Sequence, residues 1–172
     1  MHTHGDIFGK CALQFAQMQG LRVLGISSSG EKLERAKDMG LSAGLNYNED
    51  PDWDAWALKQ TGGEGVDLVV EVGGTGTMAR SLKAVRTSGT VAVVGVLDEA
   101  FGAMPIGPII HKVVNVQGVY VGSRADFVAM NKAISLAELR PVGEEFHWSQ
   151  ARDVFVRMEE GSHFGKMVLT VG

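Results

Sequence analysis

An α/β fold, doubly wound around a parallel sheet, is the fold class this 172-residue chain predicts. Three observations carry that expectation. Strand-length apolar runs alternate with segments of helical period along most of the chain. Two of the runs, Val66-Asp67-Leu68-Val69-Val70-Glu71-Val72 and Thr90-Val91-Ala92-Val93-Val94-Gly95-Val96, are nearly continuous in apolar residues, as strands buried on both faces are. The 23 glycines fall mainly at the ends of these segments, where they mark turns rather than a flexible linker.

The elements follow in order. Residues 9–19 place Ala12, Phe15, Ala16 and Gln19 at helical spacing, Cys11 and Leu13 widen the apolar face, and Gly20 stops the helix. Arg22 to Ile26 is a short strand. Ser27-Ser28-Ser29-Gly30 turns the chain and caps a helix over about 31–39, which buries Leu33, Ala36 and Met39 and ends at Gly40. Gly44 to Tyr47 is a weak strand. Pro51 and Asp52 open a helix through Trp53, Trp56 and Ala57, stopped by Gly62-Gly63. Past the Val66–Val72 strand, Gly73-Gly74-Thr75-Gly76-Thr77 leads into a helix over about 77–86. Pro105 to Lys112 is a short helix. Val113 to Val121 is the next strand, and its opening alternation of apolar and polar residues marks an edge or interface strand. A helix covers about 124–137, Pro141 breaks it, and Glu144 to Trp148 leads into a helix over 149–160. Lys166 to Val171 closes the chain as a strand. Helices between parallel strands imply right-handed crossovers. No repeat and no domain-scale linker interrupts the pattern, so 1–172 is expected to form a single domain.

Composition narrows the function. A net charge of -4 argues against nucleic-acid binding. No apolar run reaches the roughly 20 residues of a membrane span, and the N-terminus lacks the pattern of a signal peptide. The single cysteine, Cys11, excludes an internal disulfide and fits a reducing cytoplasm; one Cys and five scattered His show no zinc-ligand spacing.

Three groups of residues carry candidate chemistry. A dinucleotide fingerprint needs G-x-G-x-x-G between strand and helix, so that backbone N–H groups approach a pyrophosphate. Gly9 fits the third glycine, but His4 and Asp6 stand at the first two positions. A carboxylate at the second repels phosphate by about 4 kcal/mol at 4 Å in an effective dielectric near 20. Next, an acidic residue at the end of the following strand would hold an adenine ribose and select NAD. Ser27 and Ser28 stand there instead, with Lys32 and Arg35 close on the helix. Small hydroxyls and cations suit a 2′-phosphate, hence NADP with NAD as the alternative; simple helix capping is the competing reading. Last, Gly73, Gly74 and Thr75, then Gly95, Val96 and Leu97, then Val121, Gly122, Ser123 and Arg124 follow the carboxyl ends of three strands, the edge where open α/β sheets bind ligands. Cys11 is expected to pack in the core, as are Trp53 and Trp56. Glu71 is an unusual charge inside a buried strand, with no reaction assigned to it.

The order of segments resembles the cofactor domain of the medium-chain, zinc-type alcohol dehydrogenases. The resemblance runs through Ala12-Leu13-Gln14-Phe15-Ala16, Gly20-Leu21-Arg22-Val23-Leu24-Gly25, Glu31 to Gly40, Gly65-Val66-Asp67, Gly95-Val96, Gly122 to Phe127 and Gly165-Lys166-Met167-Val168. It implies a Rossmann-like sheet and hydride transfer between an alcohol or carbonyl and a nicotinamide dinucleotide; the quinone reductase branch shares the domain. By resemblance, Gly9 is the last fingerprint glycine and Ser27 selects the cofactor. Lys32 contacts the adenosine side, Gly95, Val96, Val121 and Ser123 lie near the nicotinamide, and Arg124 and Lys166 lie near the cofactor phosphates or ribose. It also implies that zinc and the proton relay belong to a preceding N-terminal domain, absent here with the first strand of the sheet. Residues 141–172 would be the segment returning toward that domain. The expectation is therefore the cofactor portion of an oxidoreductase, inactive alone and marginally stable. A homo-oligomer through the 113–121 strand is a further expectation, and a non-catalytic nucleotide-binding module is the alternative.

Overall fold

A computed structural model describes residues 6–97, 100–161 and 163–172, with side chains from Gly9 onward. In chain order the elements are α1 (Asp6–Met18), β1 (Leu24–Ser27), α2 (Gly30–Asp38), β2 (Ala43–Asn46), α3 (Trp53–Gln60), β3 (Val66–Glu71), α4 (Thr75–Ala84), β4 (Val85–Val93), α5 (Ile106–His111), β5 (Asn115–Gly118), α6 (Arg124–Leu136), β6 (Gly143–His147), a 3-10 turn (Trp148–Gln150), α7 (Ala151–Glu159) and β7 (Lys166–Thr170). The chain divides into two compact units. One contains Val23–Val121, the other α1 with Gly122–Gly172.

The first unit is the alternating α/β body. β1 pairs with β2, and β3, β4 and β5 follow in that order, every ladder parallel. Among the described residues these are two separate ladders, with no pairing between β1 and β3. Apolar side chains hold each ladder to its helices. Leu24 and Ile26 of β1 pack with Trp53, Ala57 and Ala84; Val69 and Val91 pack with Met78, Leu82, Val85 and Val114; Val66 touches both clusters. An ion cluster fixes α3 against α4: Arg80 reaches the buried Asp54 at 2.5 Å and the exposed Asp52 at 3.0 Å. The hydrogen bonds it donates to Asp54, then to Asp52, hold the Arg80 guanidinium above its ordinary pKa.

Two boundaries differ from the sequence expectation for local reasons. α4 ends at Ala84 and β4 begins at once, pairing Val85 with Val66. The register then shifts so that Leu68 faces Thr90. Ser88 has φ +56 and Gly89 follows, so residues 86–89 leave the ladder before the expected strand resumes. β5 covers only Asn115–Gly118, because Val113 sits at φ +53, a left-handed value that a β-branched residue rarely takes. Val119 still donates to Val93 O at 2.9 Å, while Tyr120 and Val121 are exposed.

The second unit pairs β6 with β7 in parallel, His147 opposite Thr170. β6 was expected only as a lead-in to a helix. Its half-buried Glu144 is held at 3.0 Å by Arg157 of α7, which stabilises a charged residue in a strand. The core side of α1 is also corrected. Leu13 and Lys10 are buried, and the Lys10 ammonium lies 3.7 Å from the centroid of the Phe164 ring. Cys11, expected in the core, is exposed. No described helix is long and apolar enough to cross a membrane.

Candidate functional site

The strand ends of the first unit supply one cluster at β1. Strand β1 delivers Ser27 to its carboxyl end, half-buried. Ser27 Oγ accepts from the Ser29 N–H at 3.2 Å, which leaves its O–H to donate outward. Ser29 caps α2 by accepting from the Lys32 N–H at 3.3 Å, so Lys32 stands in the first turn, half-buried. Ser28 is exposed, and its carbonyl accepts from Asn48 Nδ2 at 3.3 Å. The arrangement joins a hydroxyl, a helix N-terminus and a cation, a donor set suited to a phosphate. Both the capping and the anion-binding readings of these serines are compatible, since Ser29 does the capping.

The ends of β3 and β4 supply a second cluster, organised by Glu71. This side chain is completely buried. Its Oε1 accepts from the N–H groups of Gly73 at 2.7 Å and Gly74 at 3.3 Å and from Thr77 Oγ1 at 2.6 Å; its Oε2 accepts from Ser81 Oγ. The Glu71 carbonyl accepts from Val94 at 2.8 Å and Gly95 at 3.3 Å, and the Val72 carbonyl accepts from Leu97 at 3.0 Å. Glu71 therefore ties both turns together. Gly74 stands at φ +105 and ψ -146, a region open only to glycine. Gly73 is buried, and a side chain there would collide with the Thr77 hydroxyl that reaches Glu71. Packing inside the turn thus requires that glycine. Val96 is exposed beside Gly95. The sequence showed Glu71 only as an odd charge; Thr77 and Ser81, its partners, carried no signal of their own beyond being hydroxyls at helical spacing.

The second unit holds the remaining candidates. Gly9 lies in the first turn of α1, half-buried. Ser123 caps α6 in a capping box: its N–H and hydroxyl donate to Asp126 Oδ2 at 2.8 and 2.7 Å, and its Oγ accepts from the Asp126 N–H at 3.2 Å. That commits the only hydroxyl proton of Ser123. The side-chain bond from Ser123, then the backbone bond, holds the Asp126 carboxyl below its ordinary pKa, so the cap is complete at neutral pH and is lost as pH falls through that lowered value. Arg124 opens α6 and borders a shallow depression with Ala125, Val128, Ala129 and Lys132. Lys166 is exposed at the start of β7. Val121 belongs to the first unit and is exposed. His4 lies outside the described residues, as does the side chain of Asp6. Among the described residues no three His, Cys, Asp or Glu side chains could together hold a metal ion.

Parallel strands alternating with helices, with glycine turns at the strand ends, define the class: a Rossmann-like α/β protein. Residues 8–136 match the profile of the zinc-binding dehydrogenases, and the chain belongs to that family. It is 35% identical to a zinc-type alcohol dehydrogenase-like protein of Schizosaccharomyces pombe, over 93% of this chain and 48% of that one. A solved NAD-dependent alcohol dehydrogenase superposes with a TM-score of 0.87 at 28% identity, covering 99% of this chain and 50% of that one. A mycobacterial protein solved with NADPH superposes with a TM-score of 0.79 at 25% identity, covering 99% of this chain and 55% of that one. The chain thus spans about half the length of the curated relatives it matches.

Proposed function

We propose that this chain is the cofactor-binding portion of an alcohol dehydrogenase-type oxidoreductase, transferring hydride between an alcohol or carbonyl and a nicotinamide dinucleotide, with NADP preferred. The observation that carries the preference is the end of β1, where a serine, Ser27, and not an acidic residue ends the strand and its Oγ accepts from Ser29, the cap of the helix whose first turn holds Lys32. Membership of the zinc-binding dehydrogenases supports the reaction class, and similarity to one protein named NAD-dependent and another solved with NADPH supports the cofactor class. Ser27, Ser28 and Lys32 would hold the adenosine side; Gly73, Gly95, Val96 and Val121 would line the nicotinamide side. By resemblance, the second unit carries four further candidates: Gly9 as the last fingerprint glycine, Ser123 for the nicotinamide, and Arg124 and Lys166 for the phosphates or ribose. The bound dinucleotide supplies the hydride chemistry, and the residues of this chain bind and orient it. By resemblance, zinc and the proton relay would belong to a separate N-terminal domain. The proposal extends to a cytoplasmic enzyme that forms a homo-oligomer through the 113–121 segment, for which the exposed Tyr120 and Val121 are the supporting feature.

Equilibrium titration with NADPH and NADH tests this reading. NADPH is expected to bind at least about tenfold tighter, the value of one charge-assisted contact. Equal affinity would remove the NADP preference, and binding of neither would remove the cofactor assignment. A second reading is a nucleotide-binding module without catalysis, which the same phosphate-suited donors at the end of β1 would serve equally. Alcohol turnover by the purified chain would exclude it.

A further inference from the structure

Glu71 is an expensive residue to bury. Its carboxylate leaves water completely, and an apolar side chain of similar size would serve stability as well or better. Four donors compensate it, and all four belong to the turn and first turns of α4: Gly73, Gly74, Thr77 and Ser81. The same residue, through its main-chain carbonyl, receives Val94 and Gly95 from the end of β4. Its negative charge also sits at the N-terminus of α4, where it satisfies the donors and the dipole that an external anion would otherwise seek. The two turns therefore form a fixed, internally neutralised surface at the strand ends, unsuited to a phosphate and suited to an uncharged ring or amide.

We propose that Glu71 is a positioning residue for the nicotinamide half of the cofactor, holding the Gly73-Gly74 and Gly95-Val96 turns in one arrangement without touching the ligand itself. The proposal rests on the cofactor-binding reading given above. Because the adenosine side is assigned to Ser27 and Lys32, loss of Glu71 should separate the two halves of the ligand.

The test titrates the full chain and its variants with NADPH and with adenosine 2′,5′-bisphosphate, which carries only the adenosine side. Glu71→Leu, which removes both acceptor oxygens and leaves their four donors without them, is expected to weaken NADPH about tenfold or more, while the bisphosphate stays within about twofold, as for independent sites. Glu71→Gln keeps an acceptor toward Gly73, Gly74 and Thr77, and the Ser81 hydroxyl can turn to accept, so it should restore most of the NADPH affinity. Should Glu71→Leu fail to fold, the double variant Thr77→Val, Ser81→Ala removes two of the donors and is expected to show the same selective loss, about threefold or more. Unchanged NADPH affinity, or equal loss of both ligands, would overturn the positioning role. Failure of the unmodified chain to bind the bisphosphate would instead count against the cofactor-binding reading.

Discussion

Replacing Ser27 by aspartate is expected to reverse the cofactor preference. The Ser27 hydroxyl ends β1 half-buried, already accepting from Ser29 and free to donate. A carboxylate in its place meets the 2′-phosphate at contact distance, where two unit charges repel by about 1 kcal/mol in water and about 4 kcal/mol at an effective dielectric of 20. That predicts NADPH binding weakened by about fivefold to nearly a thousandfold. The same carboxylate accepts hydrogen bonds from an unphosphorylated ribose diol, so NADH affinity should rise or hold. Titration of the Ser27→Asp chain with both dinucleotides measures the ratio. An unchanged ratio would mean that the end of β1 does not face the adenosine.

Leu82→Ala should produce the largest loss of stability. Leu82 is completely buried on α4, among Val69, Met78, Val85, Val91 and Val114. Truncating it removes transfer free energy and leaves a cavity beneath the helix, a cost of about 2–5 kcal/mol. A domain holds only about 5–15 kcal/mol in total, so the urea midpoint should fall sharply with little change in slope. A loss below about 1 kcal/mol would show that α4 does not rest on the β3–β4–β5 sheet through this cluster. The variant also isolates packing from chemistry, because Leu82 contributes to the apolar cluster whereas its neighbour Ser81 bonds to Glu71.

How much of this was legible in the sequence depended on range. β3 could be read because Val66 to Val72 is a strand-length apolar run followed by glycines, although the strand is not buried on both faces throughout: Asp67 and Leu68 are exposed. The order of helices and strands followed from the same alternation. The start of β4 could not be read, since the passage from Ala84 to Val85 has neither glycine nor proline to mark it, and the register shift that follows depends on pairing with Val66 and Leu68. β6 was hidden because two glutamates look like a solvated segment until Arg157, thirteen positions away, pairs with Glu144. Cys11 was misplaced for a similar reason. Local apolarity favoured it, whereas the buried positions are Leu13 and Lys10, the latter set over Phe164 from the far end of the chain. In the candidate site, the positions of Ser27 at a strand end and of Lys32 in a first helical turn were legible from spacing alone. The role of Glu71 was not, because a buried charge announces only that partners exist, and the fold alone says that they are the N–H groups and hydroxyls of α4.

The end of β1 is proposed to receive the adenosine 2′-phosphate. The most direct measurement is a map of backbone amide shifts on adding adenosine 2′,5′-bisphosphate to the full chain. The largest shifts are expected at Ser27 to Lys32, with Gly73 and Gly74 unmoved because their N–H groups are already bonded to Glu71. Shifts centred on Gly73 and Gly74, with Ser27 to Lys32 silent, would contradict it.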